Sequence, residues 1–170
     1  MESKLPTRKR NRLKDFDYSS PNSYFITVCT KHKKCIFWES NQPKFIPNKL
    51  ILPNLSLCGK ILDKAIKGIP ERYPGIKLIQ YVIMPNHIHL VLHIVNNPET
   101  DSDMKYNQDR RSISIAVGQM KRIVSREVGV SIWQKSFHDH IIRNYSDYKD
   151  ISEYIFENPL KWQYDCFYMT

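Results

Sequence analysis

Two β-rich runs that meet at a proline constrain this chain more than any other feature. GIKLIQYVIMP (75–85) and NHIHLVLHIV (86–95) abut at Pro85-Asn86, a turn dipeptide, and are expected to fold back as an antiparallel hairpin at the centre of a sheet. Upstream, SYFITVCT (23–30) is aromatic and β-branched and reads as a strand, and KCIFWES (34–40) reads as a second short one. Leu57, Ile61, Leu62, Ala65, Ile66 and Ile69 recur at helical spacing, which predicts a helix over about 54–69 that stops near Pro70 and Pro74. Ile113, Val117, Met120 and Val124 fall on one face of a second helix, with Lys121, Arg122 and Arg126 projecting elsewhere toward solvent or a ligand. SFHDHIIRN (136–144) reads as a strand. A last helix over about 146–157 must end near Asn158, because Pro159 disfavours α geometry in the residue before it.

The order is βαββαβ with one added C-terminal helix. Two helices packed on one face of a four-stranded antiparallel sheet is the ferredoxin-like α+β solution to burying those faces. Residues 1–22 are read as a basic N-terminal arm, 23–160 as the domain, and 161–170 as a C-terminal tail. The polar, breaker-rich stretch 96–111 (NNPETDSDMKYNQDRR) is expected to be a mobile loop within that domain.

Lys and Arg number 26 against 17 Asp and Glu, so the formal net charge is 26 − 17 = +9, an excess that favours phosphate-bearing partners. No run approaches the roughly 18 apolar residues of a membrane span, and the N-terminus has charges without the apolar stretch of a signal peptide. Cys29, Cys35, Cys58 and Cys166 form no CxxC pair, which argues against a disulfide framework or a Cys-rich zinc site and for reduced, mostly structural thiols. A soluble intracellular protein with no membrane partner is expected.

Within the second hairpin strand, the period of two puts His87 and His89 on one face with Ile88 opposite. Two imidazoles so placed suit one metal ion: imidazole takes Zn, Cu, Mn or Fe, and mixed N/O sites hold Mg²⁺ or Mn²⁺ when amide or carboxylate oxygens and phosphate complete the shell. The competing reading is two polar residues on the solvent side of an amphipathic strand. On the last helix Tyr154 and Asn158 stand one turn apart, ~40° apart around the axis, so Asn158 is a candidate oxygen donor to that metal and Tyr154 a candidate nucleophile. Here the competing reading is a core stripe of Ile151, Tyr154 and Ile155. His138 and His140 also alternate on a strand and could be mistaken for a second metal site. His93 shares the face of His89, Asp17 and Tyr18 are expected to fix the arm to the sheet, and Trp133 is read as core in preference to a base-stacking platform.

These motifs carry a family resemblance. YVIMPNHIHLVLHI (81–94) is similar to the His-hydrophobic-His region of the HUH single-strand nucleases, and YIFENPLKW (154–162) resembles the catalytic helix of the REP-associated tyrosine transposases. The likeness continues through RKRNRLKDFDYSS (8–20), YFITVCT (24–30), GQMKRIVSREV (118–128) and IWQKSFHDHIIRN (132–144), and so spans nearly the whole chain. It implies that His87, His89 and Asn158 hold Mg²⁺ or Mn²⁺ and that Tyr154 is the single nucleophilic tyrosine, cutting single-stranded DNA through a covalent 5′-phosphotyrosine. Asn in place of the Gln usual in insertion-sequence relatives points to the REP-associated branch. The implied partner is single-stranded DNA bearing hairpins of the REP palindrome type, with Arg8, Lys9, Arg10, Arg12, Lys121, Arg122 and Arg126 as phosphate contacts. A monomer is favoured over a homodimer. The alternatives are a domesticated hairpin-binding module with little or no catalysis, and a His-metal phosphodiesterase that uses water.

Overall fold

The computed structural model describes residues 20–40, 44–46, 49–51, 54–95 and 112–168. The arm residues Arg8, Lys9, Arg10, Arg12, Asp17 and Tyr18 and the 96–111 loop lie outside them. In chain order the elements are β1 (Ser23–Cys29), the short β2 (Lys44–Ile46) and β3 (Lys49–Ile51), α1 (Leu57–Lys67), α2 (Ile69–Arg72), β4 (Ile76–Ile83), β5 (His87–Ile94), α3 (Ile113–Val128), β6 (His138–Ile142) and α4 (Tyr145–Glu157). β4, β5, β1 and β6 form one sheet in that order, and every adjacent pair is antiparallel. β2 and β3 pair as a separate ribbon.

Strand alternation divides the sheet into two differently covered faces. Tyr24, Ile26 and Val28 of β1 and Ile88, Leu90, Leu92 and Ile94 of β5 point to one side, where Leu62, Ala65 and Ile66 of α1 and Ile113, Ala116, Val117, Met120 and Val124 of α3 close the main core. On the other side Val91 and Ile142 meet Ile151 and Ile155 of α4 in a smaller core. The expected βαββαβ order with a C-terminal helix is therefore the observed one. The two expected helices take one face, and α4 has the other.

Several local differences have physical causes. The segment 34–40 is no strand: Trp38 makes a single bridge to Leu55 and donates its indole N–H to the Ile83 carbonyl at 2.7 Å. α1 begins at Leu57 because Ser56 caps it, its Oγ accepting from Gly59 N at 3.1 Å. The helical spacing through Ile69 breaks at Gly68 and resumes in α2, where Pro70 stands in the first turn, a position that lacks no needed hydrogen bond. α4 does end at Glu157, yet Asn158 keeps helical angles (φ −52°, ψ −44°), so the missing amide of Pro159 stops the helix without forcing Asn158 out of it.

α1 also approaches the preceding chain too closely for any side chain at Gly59. A Cβ there would lie 2.2 Å from the Phe37 carbonyl oxygen. Gly59→Ala is expected to destabilise the protein by about 2 kcal/mol or more, read as a lower urea midpoint at unchanged slope.

Candidate active site

β5 runs through the middle of the sheet and is covered on both sides, so the imidazoles its alternation turns toward α4 are buried: His87 is 0% and His89 2% exposed. That excludes the solvent-face reading of the His-x-His pair. The two Nε2 atoms converge at 3.1 Å. Each ring is held from behind: His87 Nδ1 lies 2.8 Å from Asn86 Oδ1, and His89 Nδ1 lies 2.9 Å from Thr27 Oγ1 across the β1–β5 ladder. Because Asn86 Oδ1 only accepts, His87 carries its proton on Nδ1 and presents a lone pair at Nε2. Thr27 can accept or donate, so His89 is free to carry its proton on either nitrogen.

Burial pushes the acidity of both imidazoles the same way. His87 is lowered to about 3, mainly by desolvation and further by nearby Lys33. His89 is lowered to about 3 by desolvation and by His87, against a smaller opposing effect of Asp165. Both rings are therefore neutral at physiological pH, which is the state a metal ligand needs.

α4 brings the second pair of residues to the same place. Its N-terminus is fixed by Asn144, whose Oδ1 caps Asp147 N at 2.9 Å, and by Asp147, which pairs with His140 Nε2 of β6 at 2.9 Å. In mid-helix Ser152 and Gln80 of β4 exchange two hydrogen bonds, at 2.8 and 3.2 Å. The supposed core stripe splits: Ile151 and Ile155 are buried, whereas Tyr154 is 41% exposed. Tyr154 Oη lies 3.4 Å from His89 Nε2, and its ring rests edge-on against His89 and Phe25. Desolvation raises this phenol to about 12, helped by Asp165 and Cys166 and opposed by a hydrogen bond with Asn158. Asn158, one turn on, is 3% exposed and its Oδ1 is buried without a hydrogen-bond partner. An orphaned carbonyl oxygen one helical turn from the tyrosine that touches His89, taken with two convergent imidazole nitrogens, is a donor set that suits a divalent cation.

Other residues fall elsewhere. Lys121, expected to reach solvent or a ligand, instead turns inward, and its Nζ donates to the carbonyls of Gln134 at 2.6 Å and Ser136 at 3.2 Å. Arg122 and Arg126 are exposed on α3, in the helical layer on the opposite side of the sheet from Tyr154. His140 is occupied by Asp147, and His93 pairs with Ser23 at 3.0 Å, away from the His87–His89 cluster. Trp133 is core, its ring tilted against Phe37 at 5.5 Å between centroids and its indole N–H donating to the Lys121 carbonyl.

Two features had no sequence signal strong enough to single them out. The segment after α4 folds back on the site: Trp162 is fully buried against His87, and Asp165 Oδ2 comes within 3.8 Å of His87 Nε2. A cleft of about 690 Å³ adjoins the site through Thr27 and Cys29, and Lys31, His32, Gln134, Lys135 and His138 line its outer part.

Residues 22–158 match the family described as transposase, IS200-like. The chain is 28% identical to an uncharacterised protein of Haemophilus influenzae over 95% of its length and 93% of that protein's. It is 30% identical to the REP-associated tyrosine transposase of Escherichia coli K12 over 48% of this chain and 42% of the other. A solved structure described as a REP-associated tyrosine transposase bound to a REP hairpin superposes with a TM-score of 0.60 at 21% identity, covering 91% of this chain and 75% of that one.

Proposed function

The chain belongs to the IS200-like transposase family, and on that premise we propose that it cuts and rejoins single-stranded DNA at hairpins, using Tyr154 as a covalent nucleophile. The observation that carries the reading is the approach of Tyr154 Oη to 3.4 Å from a buried, neutral imidazole pair, with the orphaned Asn158 Oδ1 one helical turn away.

His87, His89 and Asn158 would hold Mg²⁺ or Mn²⁺, and that ion would supply Lewis-acid polarisation of the scissile phosphate. Tyr154 Oη attacks phosphorus, the bond to the 3′-oxygen breaks, and the products are a 5′-phosphotyrosine and a 3′-hydroxyl. The phenol loses one proton and the departing oxygen gains one. Because the ester on Tyr154 keeps the energy of the broken bond, a DNA 3′-hydroxyl can reverse the step and join strands without ATP. Half exposure of Tyr154 leaves room for an incoming backbone, and its edge contact with His89 fixes the direction of attack.

The cleft beside Thr27 is the bed for the single strand, with Lys31, Lys135 and His138 as its phosphate contacts. Arg122 and Arg126 lie too far around the sheet to serve the scissile phosphate, and their role is contact with the hairpin's duplex backbone, together with the arm residues Arg8, Lys9, Arg10 and Arg12. α4 packs on its own sheet and sets Tyr154 Oη 3.4 Å from His89 of the same chain, and a monomer acting in cis is the proposed state. REP-type palindromes are the proposed hairpins, by similarity to the relatives of that name. Among the described residues no helix is long and apolar enough to cross a membrane.

The direct test mixes the protein with end-labelled hairpin oligonucleotides taken from repeats of its own genome, in Mn²⁺, Mg²⁺ or EDTA, on a denaturing gel. A metal-dependent shift that survives denaturation is expected. Cleavage with no adduct would replace the tyrosine reading by a water-using nuclease, and binding alone would leave a recognition module.

Thr27 offers a finer check. Thr27 Oγ1 lies 2.9 Å from His89 Nδ1, and a His89 that binds metal through Nε2 carries its proton on Nδ1, which the Thr27 hydroxyl accepts. Valine has no acceptor at that place. Thr27→Val keeps shape and β propensity, and should weaken Mn²⁺ binding about 10- to 100-fold by titration.

A further inference from the structure

We infer that Asp165, in the segment that follows α4, is an additional metal ligand and ties that segment to the metal centre; the inference rests on the reading of His87 and His89 as metal ligands. Among the described residues, His87, His89 and Asp165 are the set whose ligand atoms all lie within 4.8 Å of one another. Atoms bonded at ~2.1 Å to one ion stand at most ~4.2 Å apart, so the cluster has only a few tenths of an ångström to close.

Three features distinguish this carboxylate from an accidental neighbour. Its side chain is only 3% exposed, and among the described residues the ion-pair partner within 4 Å is the fully buried His87. A carboxylate so deeply buried is costly unless a cation joins it. Its two oxygens are also differently used: Oδ1 accepts from Phe167 N at 2.6 Å, which aims Oδ2 at His87 Nε2, 3.8 Å away.

The third feature is the clamp. Asn86, whose Oδ1 fixes His87, donates through Nδ2 to the Phe167 carbonyl at 2.8 Å and to the Lys33 carbonyl at 3.1 Å. Lys33 in turn donates Nζ to the Cys166 carbonyl at 3.0 Å and sits over the Phe167 ring, whose centroid is 4.6 Å from that of His87. Both His32 (φ 58°) and Lys33 (φ 52°) hold left-handed backbone angles that cost non-glycine residues energy, so the loop that reaches this segment is strained. One asparagine thus orients a histidine ligand and the segment bearing Asp165 together, as residues behind metal ligands commonly do. The resulting donor set, two imidazoles with an amide and a carboxylate oxygen, is harder than a His-only site and suits Mg²⁺ or Mn²⁺.

The experiment titrates Mn²⁺ into the full chain, following free Mn²⁺ by electron paramagnetic resonance, for the parent, Asp165→Ala, Asp165→Asn and His89→Ala. Hydrogen exchange of 162–168 is measured with and without Mn²⁺. Asp165→Ala should weaken binding at least about tenfold, Asp165→Asn should fall between it and the parent, and Mn²⁺ should slow exchange of 162–168 in the parent only. Parent-like binding by both Asp165 variants, with binding lost in His89→Ala, overturns the role of Asp165 and leaves the histidine site standing. No binding by the parent, or parent-like binding by His89→Ala, overturns both. Should Asp165→Ala fail to fold, the near-isosteric Asp165→Asn decides alone.

Discussion

A Tyr154→Phe chain will bind hairpin DNA as the parent does and leave it uncut. The substitution removes one oxygen and keeps the ring that packs against His89 and Phe25, and Tyr154 is 41% exposed with a long 3.4 Å contact at its hydroxyl. With the hydrogen bond to Asn158 also lost, stability should fall by about 1 kcal/mol, too little to unfold the chain. The chemistry loses its nucleophile: the denaturation-resistant band should vanish and cleavage fall at least about 10³-fold. The parent should show a matching pH dependence. Desolvation holds its phenol near about 12, so phenolate is scarce at neutral pH and becomes more abundant as pH rises. Adduct formation should climb across the neutral range and into the alkaline one, unless strand release limits the rate. Residual cleavage in the variant without an adduct would assign the attack to water.

How much of this was legible in the sequence depended on whether a residue's partners are local. The period of two placed His87 and His89 on one face, and the 3.6 period placed Tyr154 and Asn158 one turn apart, because both relations are set by the backbone of a single element. What periodicity could not supply was burial. His87 and His89 are enclosed because β5 is an interior strand with helices on both faces, a fact of topology. Lys121 shows the same limit from the other side: on a helical wheel it faces outward, yet the turn before β6 offers it two backbone carbonyls. Asp165 was illegible for a simpler reason. It lies past Pro159 in a stretch without period, and its proximity to His87 depends on Asn86 and Lys33, residues more than seventy positions away in sequence. The segment 34–40 misled because aromatic and β-branched content reports burial as well as strand, and here Phe37 and Trp38 are buried in irregular chain.

Replacing both His87 and His89 by leucine should abolish cleavage and, in acid, make the metal-free protein more stable than the parent. The two imidazoles are folded into a site that excludes their protonated forms, with acidities lowered from 6.5 to about 3. Below pH 6.5 the unfolded chain takes up protons that the folded chain refuses, so the parent loses stability as pH falls from about 6.5 toward 3, and the contribution is fully present only above 6.5. The loss is on the order of several kcal/mol for the pair, enough to unfold a domain of ordinary stability. Leucine has nothing to protonate and gains apolar contact with Phe25, Trp162 and Phe167, which already surround the rings. Urea unfolding in EDTA at pH 7.5 and 5.0 should therefore show a steep fall for the parent and a much flatter response for the variant. Equal pH dependence in the two proteins would mean that the histidines are protonated in the native state. On the proposed reading, these two positions trade fold stability in acid for the ligands that cleavage would need, which is the pattern that selection for chemistry leaves.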